Sequence, residues 1–136
     1  MVALAISLIA MVIATTALAV PYLGPPGVAQ AAQTREFTLV TDTIAINETI
    51  AGIPHDTFSP TFIHVNLGDN VIIHFVNTEE EDEHHTFTLP AYNIDVDLAQ
   101  GQKQDITFTA THSGIFQFFC KFHLPTMTGQ LVVLSM

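Results

Sequence analysis

The sequence has 136 residues and is strongly acidic: 13 Asp and Glu residues against 3 Lys and Arg residues give a formal net charge of -10 at pH 7. The basic residues Arg35, Lys103 and Lys121 form no cluster in the sequence, which excludes the basic patch that nucleic-acid binding requires. The single cysteine, Cys120, excludes an intramolecular disulfide and every metal site that needs two thiolates from one chain. The length suits one domain, and the acidic charge favours basic protein partners.

The N-terminal residues form an uncharged apolar segment. The run from Val2 to Val20 is interrupted only by Ser7, Thr15 and Thr16, and it is long enough to span a bilayer. The proline- and glycine-rich residues that follow would end a helix. We therefore predict a signal peptide or membrane anchor over residues 1–23, a linker over 24–34 and a folded domain over 35–136. Both alternatives place that domain outside the cytoplasmic membrane, in the periplasm or an equivalent compartment, and an uncleaved segment would anchor it there.

From Arg35 onward the sequence consists of short β-rich runs separated by turn residues. Residues 46–60 are predicted to be a long connection, and the turn Gly68-Asp69-Asn70 predicts a hairpin between its two flanking strands. Seven or eight short strands without a helical period indicate an all-β sandwich. The predicted strands cover residues 35–45, 61–67, 71–77, 85–89, 104–110, 115–120 and 130–134, with a further alternating run in 91–100.

The segment from Phe118 to Gly129 contains the most distinctive group of side chains. His123 follows Cys120 by three residues, and Met127 follows His123 by four. A thiolate, an imidazole and a thioether on one loop suit copper better than the other common metals, and blue-copper sites use one Cys and two His in a plane with a weak axial Met. A second histidine must then come from elsewhere in the chain.

Two adjacent histidines, His84 and His85, are the strongest candidates for the missing ligand. Neighbouring residues of a strand point to opposite faces, and His85 shares the predicted inner face with Phe87 and Leu89. We therefore favour His85 over His84, with a satisfied core histidine as the alternative. The remaining histidines are predicted to be exposed or solvated, namely His55, His64, His74 and His112.

Taken together, these stretches resemble the cupredoxins, the superfamily of plastocyanin, azurin, amicyanin and subunit II of cytochrome oxidase. The resemblance spans roughly residues 36–136. Within it, residues 41–44 and Tyr92-Asn93 resemble the oxidase-subunit branch in particular. That branch holds a binuclear centre on two cysteines, so Cys120 alone implies one type 1 copper ion per chain in a Greek-key sandwich. The matching segments are Phe58–Pro60, Gly68–Val71, Asn77, His85–Phe87, Gly114–Phe116 and Pro125–Gly129.

The resemblance also implies roles for individual residues. It implies a hydrogen bond to the cysteine sulfur from Thr86 or its amide, and it makes the backbone carbonyl of His84 a second weak axial donor. The exposed edge of His123 would be the route for electrons. The implied copper ligands are Cys120, His85 and His123 in the plane, with Met127 on the axis.

One departure from the family pattern leaves the function open. Leu124 separates His123 from Pro125, whereas amicyanin-like loops have proline directly after this histidine. The insertion can keep Met127 away from the metal. In that case the axial position is open to water or to a small ligand such as a nitrogen oxide, and Met127 would be a core filler.

We expect an electron carrier between redox proteins rather than an enzyme. Its acidic loop, residues 79–83, is either solvated or faces a basic partner. A small copper redox enzyme with an open axial position is the alternative, and copper storage or delivery is a third.

Overall fold

The computed structural model describes residues 31–43, 55–79 and 82–135. The predicted signal peptide or anchor, and the predicted linker up to residue 30, lie outside these described residues. None of the described segments forms a helix long and apolar enough to cross a membrane. The described elements are β1 (Thr34–Thr43), β2 (Asp56–Ser59), β3 (Phe62–Asn66), β4 (Asn70–Val76), β5 (His85–Leu89), a 3-10 turn (Pro90–Tyr92), β6 (Ile94–Leu98), β7 (Lys103–Thr109), β8 (Gly114–Phe119) and β9 (Thr128–Leu134).

The strands form two sheets, with the orders β2-β1-β4-β7 and β3-β9-β8-β5-β6. The pairs β1–β4 and β3–β9 are parallel, and the other pairs are antiparallel. This all-β sandwich confirms the predicted fold class. The described residues contain nine strands, however, because β2 lies inside the predicted connection 46–60. With four residues, Asp56–Ser59, that strand is too short for its alternation to stand out in the sequence.

The hairpin predicted around Gly68 is wrong, since β3 and β4 belong to different sheets. In β3, Ile63 lies opposite Leu131 of β9, whereas β4 lies between β1 and β7. The turn is hydrogen-bonded to distant parts of the chain. The N–H of Gly68 donates to the carbonyl of Ala110 at 2.8 Å, and the N–H of Leu67 donates to the carbonyl of Leu134 at 2.9 Å. The turn therefore passes the chain from one sheet to the other, which an alternating pattern on both sides of it does not reveal.

Four phenylalanines form the centre of the core, between the two sheets. Phe58 and Phe75 come from the four-stranded sheet, and Phe87 and Phe118 come from the five-stranded sheet. The ring centroids of the contacting pairs are between 5.2 and 6.5 Å apart, the range in which tilted and edge-to-face pairs attract. Phe118 precedes Cys120 by two residues, so core packing fixes the position at which the loop between β8 and β9, which contains Cys120, begins.

Strand pairing brings the start of β5 next to the end of β8. The two strands are antiparallel, with Thr88 opposite Phe119, so the chain runs back from Thr88 to His85 beside the residues that follow Phe119. On the other side of β8, Phe119 lies opposite Thr128 of β9. His85 and the whole β8–β9 loop therefore lie at the same end of the five-stranded sheet.

Candidate metal centre

Three predicted donor atoms converge at this end of the sheet. The Nδ1 atoms of His85 and His123 are 3.1 Å apart, and the Sγ atom of Cys120 lies 4.0 Å from the first and 3.8 Å from the second. His85 opens β5, while Cys120 and His123 lie on the loop after β8. Among the described residues these three can hold a metal ion, since their donor atoms all lie within 4.8 Å of one another.

The size of this triangle fits a first-row metal. A point in the plane of the three atoms lies about 2.0 Å from both nitrogens and about 2.3 Å from the sulfur, which are the bond lengths that imidazole and thiolate form with Zn²⁺, a neighbour of copper. The geometry therefore suits three donors around one ion in their common plane. The donor set of one thiolate and two imidazoles suits copper.

Burial keeps these donors ready to bind a cation. The side chains of Cys120 and His85 are fully buried, and Cys120 is a free thiol. Burial is the main cause that lowers the pKa of His85 to about 4, and repulsion from His123 adds to it. The His85 ring is therefore neutral near pH 7, and a neutral imidazole leaves one nitrogen lone pair for a metal.

Met127 lies against the same centre despite the Leu124 insertion. Its side chain is fully buried, and its Sδ atom is 3.2 Å from Nδ1 of His85. Two backbone bonds close the loop: Cys120 N–H donates to the Met127 carbonyl at 3.0 Å, and Met127 N–H donates to the His123 carbonyl at 2.9 Å. The extra residue is accommodated at the surface, because Leu124 is 49% exposed. Ligation of the metal by Met127 remains a prediction.

A hydrogen-bonded chain fixes the cysteine from the strand side. The Thr86 N–H donates to Sγ of Cys120 at 3.3 Å, and the Thr86 hydroxyl accepts the N–H of Lys121 at 2.8 Å. Thr88 Oγ1 lies 3.2 Å from Thr86 Oγ1 and donates to Asp95 Oδ1 at 2.9 Å. Asp95 in turn accepts the Lys121 ammonium at 2.7 Å. Such outer contacts hold a ligand in orientation and tune the metal.

The other histidines lie outside the donor triangle. The exposed His84 ring is 2.9 Å from Asp97 through Nδ1, and the predicted role of its carbonyl remains a prediction. His74, on the outer face of the four-stranded sheet, lies 2.7 Å from Asp105. The three-donor groups of the described residues do not include the remaining histidines His55, His64 and His112.

Carboxylates close to the two imidazoles are the feature that the sequence did not predict. Oδ2 of Asp56 lies 3.4 Å from Nδ1 of His123, and Nε2 of His85 lies 3.9 Å from carboxylate oxygens of both Glu79 and Glu83. Burial, followed by repulsion from Asp56 and Glu83, raises the pKa of Glu79. Glu79 thus turns toward the centre although it belongs to the acidic loop, and Asp56 lies in β2, where the sequence predicted only a connection.

The matching family model is that of the cupredoxin-like domain, over residues 4–133. No curated protein sequence matches the chain. Similar solved structures include a copper nitrite reductase from Nitrosomonas europaea, with 22% identity over 75% of this chain and 42% of that chain and a TM-score of 0.62. A blue copper oxidase from the same organism has 20% identity over 75% of this chain and 39% of that chain, with a TM-score of 0.58.

The metal-binding domain of the Cu(I)-exporting P-type ATPase CopA from Streptococcus pneumoniae is similar along nearly its whole length. It has 13% identity over 79% of this chain and 99% of that chain, with a TM-score of 0.56. The chain thus spans only about two fifths of the nitrite reductase and of the oxidase, and at these identities the likeness concerns the fold. The family match covers nearly the whole sequence, so this chain is a member of the cupredoxin-like family and has its copper-binding fold.

Proposed function

We propose that this chain holds one type 1 copper ion and carries single electrons between redox proteins outside the cytoplasmic membrane. The observation that carries the proposal is the triangle of His85 Nδ1, His123 Nδ1 and Cys120 Sγ, whose sides fit one metal ion in the plane. Copper bound there would supply a one-electron couple between Cu(II) and Cu(I).

Each residue of the centre contributes a defined constraint to this role. The buried pair of Cys120 and His85 would keep bulk water away from a bound metal, and Thr86 fixes the sulfur through its N–H. Strand pairing and the two loop hydrogen bonds hold all donors in place, so the same geometry serves both oxidation states and little reorganisation accompanies transfer. A rigid site of this kind suits an electron carrier.

The surface around His123 offers a route for the electron. The His123 side chain is 18% exposed, whereas His85 is fully buried, so His123 is the imidazole nearer to solvent. Phe122 and Leu124 on either side of it are 53% and 49% exposed. An apolar rim around a partly exposed ligand permits close approach of a partner. The net charge of -10 favours a basic partner through steering.

Loading the full-length chain with Cu(II) tests the proposal. We expect intense visible absorption from thiolate-to-copper charge transfer, which Cys120→Ser and His123→Ala abolish. His64→Ala is the matched control, because His64 lies exposed on β3 and should keep the wild-type spectrum. The type 1 assignment fails if the Cys120→Ser protein keeps the absorption.

The contact of Met127 with His85 supports the carrier over the enzyme with an open axial position. A thioether already beside the centre leaves less room for an external ligand there. Azide or nitric oxide should therefore leave the spectrum of the oxidised protein unchanged. A large spectral shift with either ligand would favour the enzyme instead.

A further inference from the structure

The two imidazoles of the centre have carboxylates close to their ring nitrogens, at Nδ1 of His123 and at Nε2 of His85. Asp56 is only 2% exposed, its Oδ2 faces His123 at 3.4 Å, and its Oδ1 has no hydrogen-bond partner among the described residues. A buried carboxylate oxygen without a donor is costly, because it has lost water and gained nothing in exchange. A cation beside Asp56 would remove that cost.

The buried ring of His85 presents a second unpartnered atom to the same region. Its Nε2 has no hydrogen-bond partner in the described part of the chain and lies 3.9 Å from both Glu79 and Glu83. Two further three-donor groups result, Asp56 with Glu79 and His85, and Asp56 with Glu83 and His123, each with its donor atoms within 4.8 Å of one another. Both groups share a histidine with the inner triangle.

A cavity of about 360 Å³ opens beside Glu79 and Glu83. Its walls include Glu79 and Glu83 together with Asp42, His55 and threonines of β1. The one basic side chain among these is His55, half exposed and 3.7 Å from Asp56. An incoming cation would therefore meet the carboxylates of Glu79 and Glu83, whose oxygens lie 3.9 Å from Nε2 of His85.

We propose that Asp56, Glu79 and Nε2 of His85, with Glu83 beside them, form an outer divalent-metal site that receives Cu²⁺ before the inner centre does. The proposal rests on the proposed function, because it assumes that copper ends at Cys120. Oxygen and imidazole donors suit Cu²⁺.

The chemistry of His85 makes the two sites successive. A neutral imidazole has one lone pair, so the ring binds the outer ion through Nε2 or the inner ion through Nδ1, never both at once. Movement of the ion inward shifts the ring proton from Nδ1 to Nε2 by exchange with solvent, and the thiol of Cys120 releases its proton to solvent. The oxidation state of copper does not change, and the outer site is given up as the inner one fills.

Stopped-flow mixing of the metal-free full-length chain with one equivalent of Cu(II), together with freeze-quench EPR, tests this order. We expect an early species with the EPR spectrum of copper on oxygen and nitrogen and without thiolate absorption, which converts to the coloured form in a first-order step. In the Asp56→Asn/Glu79→Gln double variant the early species should be lost. Its thiolate absorption should form about 10-fold more slowly or worse, in line with the cost of removing supporting carboxylates from a metal site.

A matched control removes the same two kinds of carboxylate beside another histidine. Glu36 and Asp105 flank His74 on the outer face of the four-stranded sheet, and Glu36→Gln/Asp105→Asn should keep both the early species and its rate. If the Asp56 change unfolds the protein, Glu79→Gln alone should shorten the lifetime and reduce the amount of the early species.

The proposal is overturned if the thiolate absorption of the wild-type protein forms in one bimolecular step without a precursor. It also fails if the double variant keeps the precursor, or if the control loses it equally. Failure of any thiolate absorption to form would instead refute the proposed function.

Discussion

Gly129, two residues after Met127, should not tolerate even one methyl group. It is the second residue of β9 and lies opposite Phe118. A Cβ atom there would overlap the Phe118 ring and lie 2.7 Å from the backbone oxygen of Thr61. The ring cannot move outward, because Phe118 is fully buried and its centroid is 5.4 Å from that of Phe58 and 5.2 Å from that of Phe87. The Thr61 oxygen is also fixed, since it accepts the N–H of Gln130 at 2.8 Å.

The expected loss in the free energy of unfolding from Gly129→Ala is at the upper end of the range for overpacked cores. Extra methyl groups in well-packed cores cost about 1–3 kcal/mol, and more where neighbours cannot yield. Because one obstacle is a buried ring and the other is backbone, we expect about 3 kcal/mol, a large part of the stability of a small domain. Displacement of the backbone at Gly129 would also disturb the metal centre. Met127 lies two residues before Gly129, and its carbonyl accepts the N–H of Cys120.

Urea unfolding of the metal-free protein measures this cost. Phe118→Leu should shrink the obstacle, so the double variant with Gly129→Ala should be more stable than the sum of the two changes predicts, by about 1 kcal/mol or more. Gly101→Ala is the control: that position has a φ of +69° but no atom within 4 Å of an added Cβ, so only backbone strain is added. The reasoning is refuted if Gly129→Ala costs less than about 0.5 kcal/mol, or if the two changes are simply additive.

Three further changes test other parts of the structure. Asp69→Asn should cost about 2–4 kcal/mol, because the buried carboxylate accepts two backbone N–H groups and the Arg35 guanidinium. The backbone bonds, the largest cause, hold the pKa of Asp69 below its usual value, so this stability is present above about pH 4 and is lost as the pH falls; urea unfolding should show the gap to wild type narrowing in acid. Met127→Leu should raise the reduction potential by about 60 mV or more, tenfold in a one-electron equilibrium, and an unchanged voltammogram would mean that Met127 is not a ligand. Phe122→Ser should slow electron self-exchange, measured by NMR line broadening, whereas Ile115→Ser at an exposed site on β8 should not; equal effects would contradict the proposed electron route.

Local patterns were enough to predict most strands and which of their side chains face inward. Alternation places Ile63 and Val65 inside and His64 outside, as the structure has them, because successive side chains of a strand point to opposite faces. The same argument favoured His85 over His84, and the structure buries the first and exposes the second. These inferences need only the backbone geometry of a single strand.

Pairing partners were beyond the reach of the same patterns. The runs on either side of Gly68 alternate as hairpin strands do, yet each is hydrogen-bonded to strands from distant parts of the chain. The alternation of β3 specifies which face is buried, but it does not specify whether the neighbouring strand is β4 or β9. The choice depends on how the whole core is filled, which no single segment contains.

By itself, the sequence determined an all-β domain and a loop whose cysteine, histidine and methionine suit copper, because donor chemistry and strand alternation are local properties. Only the tertiary structure decided the distances between Cys120, His85 and His123, since they depend on the pairing of β5 with β8. It also decided that Asp56 and Glu79 lie close to the two imidazoles. A carboxylate is predicted to face solvent unless something holds it inside, and here the fold brings Asp56 of β2 and Glu79, three residues after β4, close to the imidazoles.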